Sequence, residues 1–534
     1  MRVHSRPRQT LSAAASRPAT RAALVIAITA VALILRLLSL GSRSLWLDEG
    51  QTAQVVASAW PRFELLMRHS FPLMSLYYVI LYGWTTVAGS SEFALRFPSA
   101  VFSTLTVPVV YILGAELFDR KTGALAAILM TVNVSAIVYA QEARAYALLF
   151  FLASLSALFF VRALRRPSAG NCAGYVVFGA LSVYAHLFGI LILPAELVSL
   201  WLFKPGQKVT LRLTASAVIF GFLALPAFVA AMAMGQGPTN WIPPTNVHSL
   251  LAFFAFEAGG PGGRSGLLLQ SLYGGGILAA LAFALSGNSY RNQIWFLALC
   301  AFVPVALTSV VSLVTPLFID RYLIECLPFT VTLTAAGIML AGRFAPQSAT
   351  VAVAAAMIAL GWHDAYPYYR SPSRENWHDA VAYVAQHERP GDAVIVYRAE
   401  CRWPVAYYRQ HLANPADFPK IVYPNWNSAF RLGGHGIESS FFDGLDPHLL
   451  KAVTMPHGRV WLILSHVTWP APHRNANPTL LRSTSAYESF VLSTTAAART
   501  VREELSGRYG PPKVRKFSGV EVALFSSAKT AEAK

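Results

Sequence analysis

The sequence predicts a polytopic α-helical membrane protein that ends in a small soluble α/β domain. Three observations carry the prediction. Of 534 residues, 55% are hydrophobic and only 13% are charged, with a mean hydropathy of +0.46, a balance outside the range of ordinary soluble domains. Eleven apolar runs approach or reach the roughly 20 residues that cross a bilayer. From His363 onward hydrophobicity falls while proline, arginine and polar residues increase.

The runs lie near Ala22 to Leu40, Phe97 to Leu117, Gly123 to Tyr139, Ala145 to Val161, Cys172 to Ala185, Leu187 to Phe203, Leu213 to Met234, Leu267 to Leu285, Ile294 to Val314, Tyr322 to Ala341 and Ser348 to Trp362. Five arginines precede the first run, yet no small-residue cleavage site follows it, so it reads as an uncleaved anchor. Basic residues concentrate in alternate connectors: Arg120-Lys121, Arg165-Arg166, Lys204 to Arg212, Arg291 and Arg343. The positive-inside rule puts these and the N-terminal tail in the cytoplasm. Basic connectors at both ends of 172–203 require an even number of spans there, turning near His186. Eleven spans then put the C-terminal domain outside. The expected organisation is a basic tail over 1–21, a transmembrane catalytic domain over 22–362 and an outer α/β domain over 363–534.

Two outer segments have structure of their own. Within 41–96, Gln51 to Arg68 and Ser75 to Gly89 are amphipathic or too short to span, and lie flat as juxtamembrane helices. In the tail, Asn376 to Glu388 reads as a helix, Arg389 to Asp392 as a turn, and Ala393 to Tyr397 and Val460 to Val467 as strands. No Walker loop, dinucleotide turn or nucleophile elbow occurs. The net charge of +17 comes without an aromatic-interleaved basic stripe, which argues against nucleic acid. Cys172, Cys300, Cys326 and Cys401 form neither a disulfide framework nor a metal spacing, so no metal site is expected.

Chemistry gathers at one leaflet. Asp48 and Glu49 follow the first span, Arg96 opens the second, Glu142 and Arg144 join the third to the fourth, and Arg321-Tyr322 join the ninth to the tenth. Charges this close to hydrocarbon are paired or functional. A carboxylate base beside several guanidinium groups suits deprotonation of a nucleophile while an anionic leaving group departs, and phosphate matches the guanidinium fork.

The runs LWLDE (45–49), SSEFALRFPSA (90–100), YAQEARAYALL (139–149), DRYLIECLP (320–328) and ENWHDAVAYVAQHERPGDAVIV (375–396) resemble the GT-C superfamily of glycosyltransferases. Specifically, they look like the branch related to protein O-mannosyltransferases and the aminoarabinose transferase of lipid A modification. That resemblance implies a GT-C transmembrane domain and transfer of a sugar from a polyprenyl-phosphate donor to a protein, lipid or envelope glycan. It assigns Asp48 and Glu49 to the catalytic centre, Asp48 as base and Glu49 held by Arg96. Arg144 and Arg321 would contact donor phosphate, with Glu142, Tyr322, Arg36 and His69 around them. No cofactor is required, and a divalent cation is left open. Where relatives often have His-Pro-Pro, this chain has His69-Ser70-Phe71-Pro72.

Plainer readings compete. Asp48-Glu49 could be a solvated turn, Arg96 an interfacial anchor, Arg36 a snorkelling residue, Glu142-Arg144 a local ion pair, and His186 a capped tip rather than a metal ligand. Other classes compete too. A transporter or lipid flippase would show inverted repeats and charges at mid-membrane, and a non-catalytic assembly subunit would tolerate loss of Asp48.

Overall fold

The computed structural model describes residues 18–527 apart from 70–71, 235–241, 243, 260–264, 372, 424–431, 434–435, 438–446 and 466–497. The membrane part is helical throughout. Its elements are α1 (Pro18–Leu37), α2 (Leu47–Val56), α3 (Trp60–His69), α4 (Ser75–Ala88), α5 (Glu92–Leu117), α6 (Arg120–Val132), α7 (Val134–Ala140) and α8 (Tyr146–Arg165). They continue as α9 (Ala169–Ala185), α10 (Ile192–Phe203), α11 (Gln207–Met234), α12 (Val247–Gly259), α13 (Gly266–Leu285), α14 (Arg291–Val311), α15 (Leu327–Ala341) and α16 (Gln347–Arg370). Each of the eleven apolar runs overlaps one or more of these helices.

Among the described residues, seven helices are long and apolar enough to cross a membrane, or eight when α6 and α7 are one bent span. The bend between them is 57° and sits at Asn133. Its side chain accepts the Ala136 N–H at 3.0 Å to start α7 and donates to the Glu257 carbonyl at 2.8 Å. α1, α9 and the stretch over 187–203 are shorter apolar helices, as is α12, which hydropathy did not single out because it is only 13 residues long. Helix contacts in lipid come from close backbone approach rather than a hydrophobic drive. Gly276 of α13 and Gly337 of α15 serve this purpose: a Cβ on Gly337 would collide with the Gly276 carbonyl oxygen.

Three expectations shift. The outer piece expected over Gln51 to Arg68 is two helices, α2 and α3, broken after Val56. α2 starts at Leu47, so Asp48 and Glu49 occupy its first turn rather than a loop, where the helix dipole favours carboxylates. α16 also runs on to Arg370, past the hydropathy boundary at 362, because a turn bearing Trp362, Tyr366 and Tyr369 extends the helix with the amphipathic aromatics of a membrane interface.

The C-terminal domain is a five-stranded sheet in the order β2-β1-β5-β7-β6, of β1 (Ala393–Tyr397), β2 (Lys420–Tyr423), β5 (Arg459–Ser465), β6 (Lys513–Phe517) and β7 (Val520–Ser526). A small hairpin of β3 (Leu432–Gly433) and β4 (Gly436–Ile437) stands apart. β1 pairs in parallel with β2 and β5, and β7 lies antiparallel between β5 and β6. Every residue of β1 and β5 is buried, so they read as continuous apolar runs rather than alternating ones. One face is covered by α17 (Trp377–Gln386) and α18 (Arg402–Gln410). The other packs under α19 (Pro447–Thr454) and a helix over 498–509. The core beneath α17 and α18 is continuous with buried residues of α2, α3 and α4, among them Val55, Phe63 and Tyr78. The soluble domain is therefore docked on the helices of the first outer segment.

Candidate active site

Glu49 organises the site. Its Oε2 lies 2.6 Å from Arg96 Nη2 and its Oε1 2.7 Å from Arg96 Nε, a two-pronged ion pair whose carboxylate side chain is 2% exposed. Oε1 also accepts the Ala143 N–H at 2.9 Å, which ties the 141–145 connector to α2. The remaining donors of Arg96 reach the carbonyls of Leu40, Arg43 and Ser44. One buried pair thus joins the end of α1, the start of α2, α5 and the connector before α8.

Asp48, one residue earlier, keeps part of its carboxylate open to solvent. Its side chain is 24% exposed, and Oδ2 stands 3.8 Å from Arg144 Nη2. Arg144 reaches under α2, where Nη1 donates to Thr52 and Tyr78 hydroxyls at 3.4 and 3.3 Å. Tyr139, Tyr146, Tyr322 and His186 form an aromatic wall around it: the ring pairs Tyr139–Tyr146, Tyr146–His186 and His186–Tyr322 have centroids 5.1, 6.0 and 5.0 Å apart. His186 caps the turn after α9, accepting the Phe188 N–H on Nδ1. Burial, with Arg144 and Arg321 close by, pushes its pKa down to about 3, so it is a neutral wall residue at physiological pH.

Glu142 is buried close to these charges, and its Oε2 has no hydrogen-bond partner among the described residues. Burial pushes its carboxyl up to about 7, against the charges of Arg374 and Arg321. Arg321 lies with its guanidinium carbon 5.9 Å from the Trp46 ring and 5.7 Å from its neighbour Tyr322.

The structure thus brings together Asp48, Glu49, Arg96, Glu142, Arg144, Arg321 and Tyr322. Arg36 is not with them. It is fully buried in α1, and its guanidinium bonds Ser103 Oγ at 2.7 Å and the Met130 and Thr131 carbonyls at 3.2 and 3.4 Å. It caps the end of α6 at the bend, so neither a donor contact nor snorkelling describes it. His69 ends α3, and its side chain lies outside the described residues.

Sequence reasoning missed the contribution of the connector after α16. Glu375 Oε2 accepts the Leu47 N–H at 3.0 Å and the Trp377 indole N–H at 2.7 Å. Ser44 Oγ accepts the Trp377 N–H at 3.1 Å, and the Leu45 N–H donates to Tyr408 Oη at 2.7 Å. The helix bearing Asp48 is therefore held from above by the soluble domain. Glu375 and Trp377 stand in the run quoted over 375–396, but its sequence does not say that they bind the start of α2.

Residues 72–233 match the family model described as dolichyl-phosphate-mannose-protein mannosyltransferase. A comparison with curated protein sequences gives no match. Among solved structures, the chain is similar to ArnT from Cupriavidus metallidurans in the apo state, with 13% identity, 95% of this chain and 98% of that one covered, and a TM-score of 0.56. It is similar to the same protein bound to undecaprenyl phosphate, with 13% identity, 94% and 98% covered, and a TM-score of 0.54. It is also similar to the oligosaccharyltransferase AglB from Archaeoglobus fulgidus in complex with an inhibitory peptide and a dolichol-phosphate, with 13% identity, 83% and 69% covered, and a TM-score of 0.54. With the family match inside its membrane region and this architecture along nearly all of its length, the chain has the fold of the GT-C superfamily of membrane glycosyltransferases.

Proposed function

We propose that the protein transfers a sugar from a polyprenyl-phosphate donor to a hydroxyl-bearing acceptor at the outer face of a bacterial inner membrane, with its N-terminal tail inside and its soluble domain outside. The observation that carries this reading is the division of labour between two adjacent carboxylates. Glu49 is consumed by Arg96, while Asp48 stays accessible within reach of Arg144. A buried, paired carboxylate makes a poor base; an accessible one beside cations suits the task. The lipid phosphates bound in the ArnT and AglB structures support the same class of donor.

In this scheme Asp48 takes the proton of the acceptor hydroxyl as its oxygen bonds to the anomeric carbon. The bond from that carbon to the phosphate oxygen breaks on the opposite side, and its electron pair leaves with the lipid phosphate. Arg144 and Arg321 stabilise the charge that grows on the phosphate, an interaction stronger in the transition state than in the bound donor. A single displacement inverts the anomeric centre. The residues named supply this chemistry without a cofactor. Incubation of purified protein with a panel of polyprenyl-phosphate sugars tests the reading: sugar release or transfer from at least one donor is expected, and inertness towards all of them would overturn it.

A further inference from the structure

We infer that Arg374, on the connector between α16 and the soluble domain, is a third phosphate-contacting guanidinium, so that the soluble domain completes the donor site rather than merely covering it. This deepens, and rests on, the lipid-phosphate reading above. The connector around Arg374 is fastened on every side but one. Ser373 accepts a hydrogen bond from Ser518 Oγ at 2.7 Å, and the Asn376 N–H donates to the Ser518 carbonyl at 2.7 Å. Glu375 is buried in its bonds to Leu47 and Trp377. The β6–β7 turn passes so close that a Cβ on Gly519 would collide with the Arg374 carbonyl oxygen, and Gly519 also has φ +67°, a conformation suited to glycine.

Between these fixed neighbours the Arg374 side chain is solvent-accessible, although it lies deep among protein groups. The side chain is thus open to a ligand while protein groups surround it. Its guanidinium carbon stands 4.7 Å from the centre of the Trp46 ring, the same ring that Arg321 approaches at 5.9 Å. Both guanidinium groups thus approach Trp46, two residues before Asp48 in the chain. Arg374 also exerts the largest charge effect on Glu142, which places it close to the same cluster of charges. A rigid backbone, a stacked and oriented guanidinium and an accessible face are what bidentate phosphate recognition needs.

The test uses full-length protein in detergent and measures affinity for two probes, undecaprenyl phosphate and undecaprenol, which lacks the phosphate. Arg374→Ala is expected to weaken undecaprenyl phosphate about 10- to 100-fold, the worth of a charge-assisted hydrogen bond, and to leave undecaprenol unchanged. Arg374→Lys, which keeps charge and docking but loses the fork, is expected to fall between. Unchanged phosphate-dependent affinity in Arg374→Ala overturns the role of Arg374 alone. An equal loss for both probes overturns it as well, since it marks a packing defect. A wild-type protein that binds the two probes equally overturns the lipid-phosphate reading itself, and this inference with it.

Discussion

Arg96 grips Glu49 through two nitrogens, at 2.6 and 2.7 Å, and so leaves Asp48 as the partly exposed carboxylate beside Arg144. Removing one partner of a buried pair strands the other charge, a loss of about 3–5 kcal/mol. Glu49→Gln and Arg96→Met should each lower the melting temperature markedly, and the exchanged pair Glu49→Arg/Arg96→Glu should recover part of it. Wild-type melting in either single variant would show that the pair does not hold α2 in place.

Gly50 follows directly, and a Cβ there would lie 2.7 Å from the backbone nitrogen of Pro404 in α18. Neither backbone can yield cheaply, so Gly50→Ala should cost about 1–3 kcal/mol by overpacking. The strain falls between α2 and the soluble domain. Limited proteolysis should release the domain faster in this variant, with sugar transfer reduced in parallel; unchanged cleavage kinetics would contradict the docking described.

Glu375 makes that docking pH-sensitive. Burial raises its pKa to about 7, against the hydrogen bond from Trp377 and the charge of Arg374. Below the ordinary carboxylate value near 4.5 it is protonated whether folded or unfolded, and nothing is lost. As pH rises from about 4.5 to 7 the unfolded chain releases the proton while the folded one keeps it, so stability falls, by a few kcal/mol at most. Melting followed from pH 4.5 to 7.5 should decline more steeply for wild type than for Glu375→Gln. Parallel curves would remove Glu375 from the coupling.

Arg36 should behave as a structural residue. Arg36→Met deprives Ser103 and the carbonyls at the α6–α7 bend of their donor and should destabilise the protein by about 3 kcal/mol. Undecaprenyl phosphate affinity in the folded fraction should stay at the wild-type value, and a selective loss of that affinity would return Arg36 to the site.

The sequence announced the helices because lipid demands long apolar runs, and it announced the charged cluster because Asp48, Arg96, Arg144 and Arg321 stand out beside hydrocarbon. What stayed hidden depends on three-dimensional docking. Arg36 looked like a membrane-facing cation until the carbonyls freed by the bend at Asn133 gave it partners. Arg374 and Glu375 sit in a polar connector whose composition resembles any linker, and only the sheet beneath them shows that they face Trp46 and Leu47. The span count proved hard for a related reason: α9, α12 and the stretch over 187–203 are short, so hydropathy alone cannot separate a crossing from a helix packed against neighbours.

The central claim is that Asp48 removes the acceptor proton. Asp48→Asn keeps the shape and hydrogen-bonding capacity of the side chain but removes its basicity, while Arg144 and Arg321 remain. The direct measurement is the rate of sugar transfer by the purified variant, paired with its affinity for undecaprenyl phosphate. Transfer should fall by roughly 10²- to 10⁴-fold, the usual contribution of a positioned base, with lipid-phosphate affinity retained. Near-normal transfer by Asp48→Asn would contradict the account.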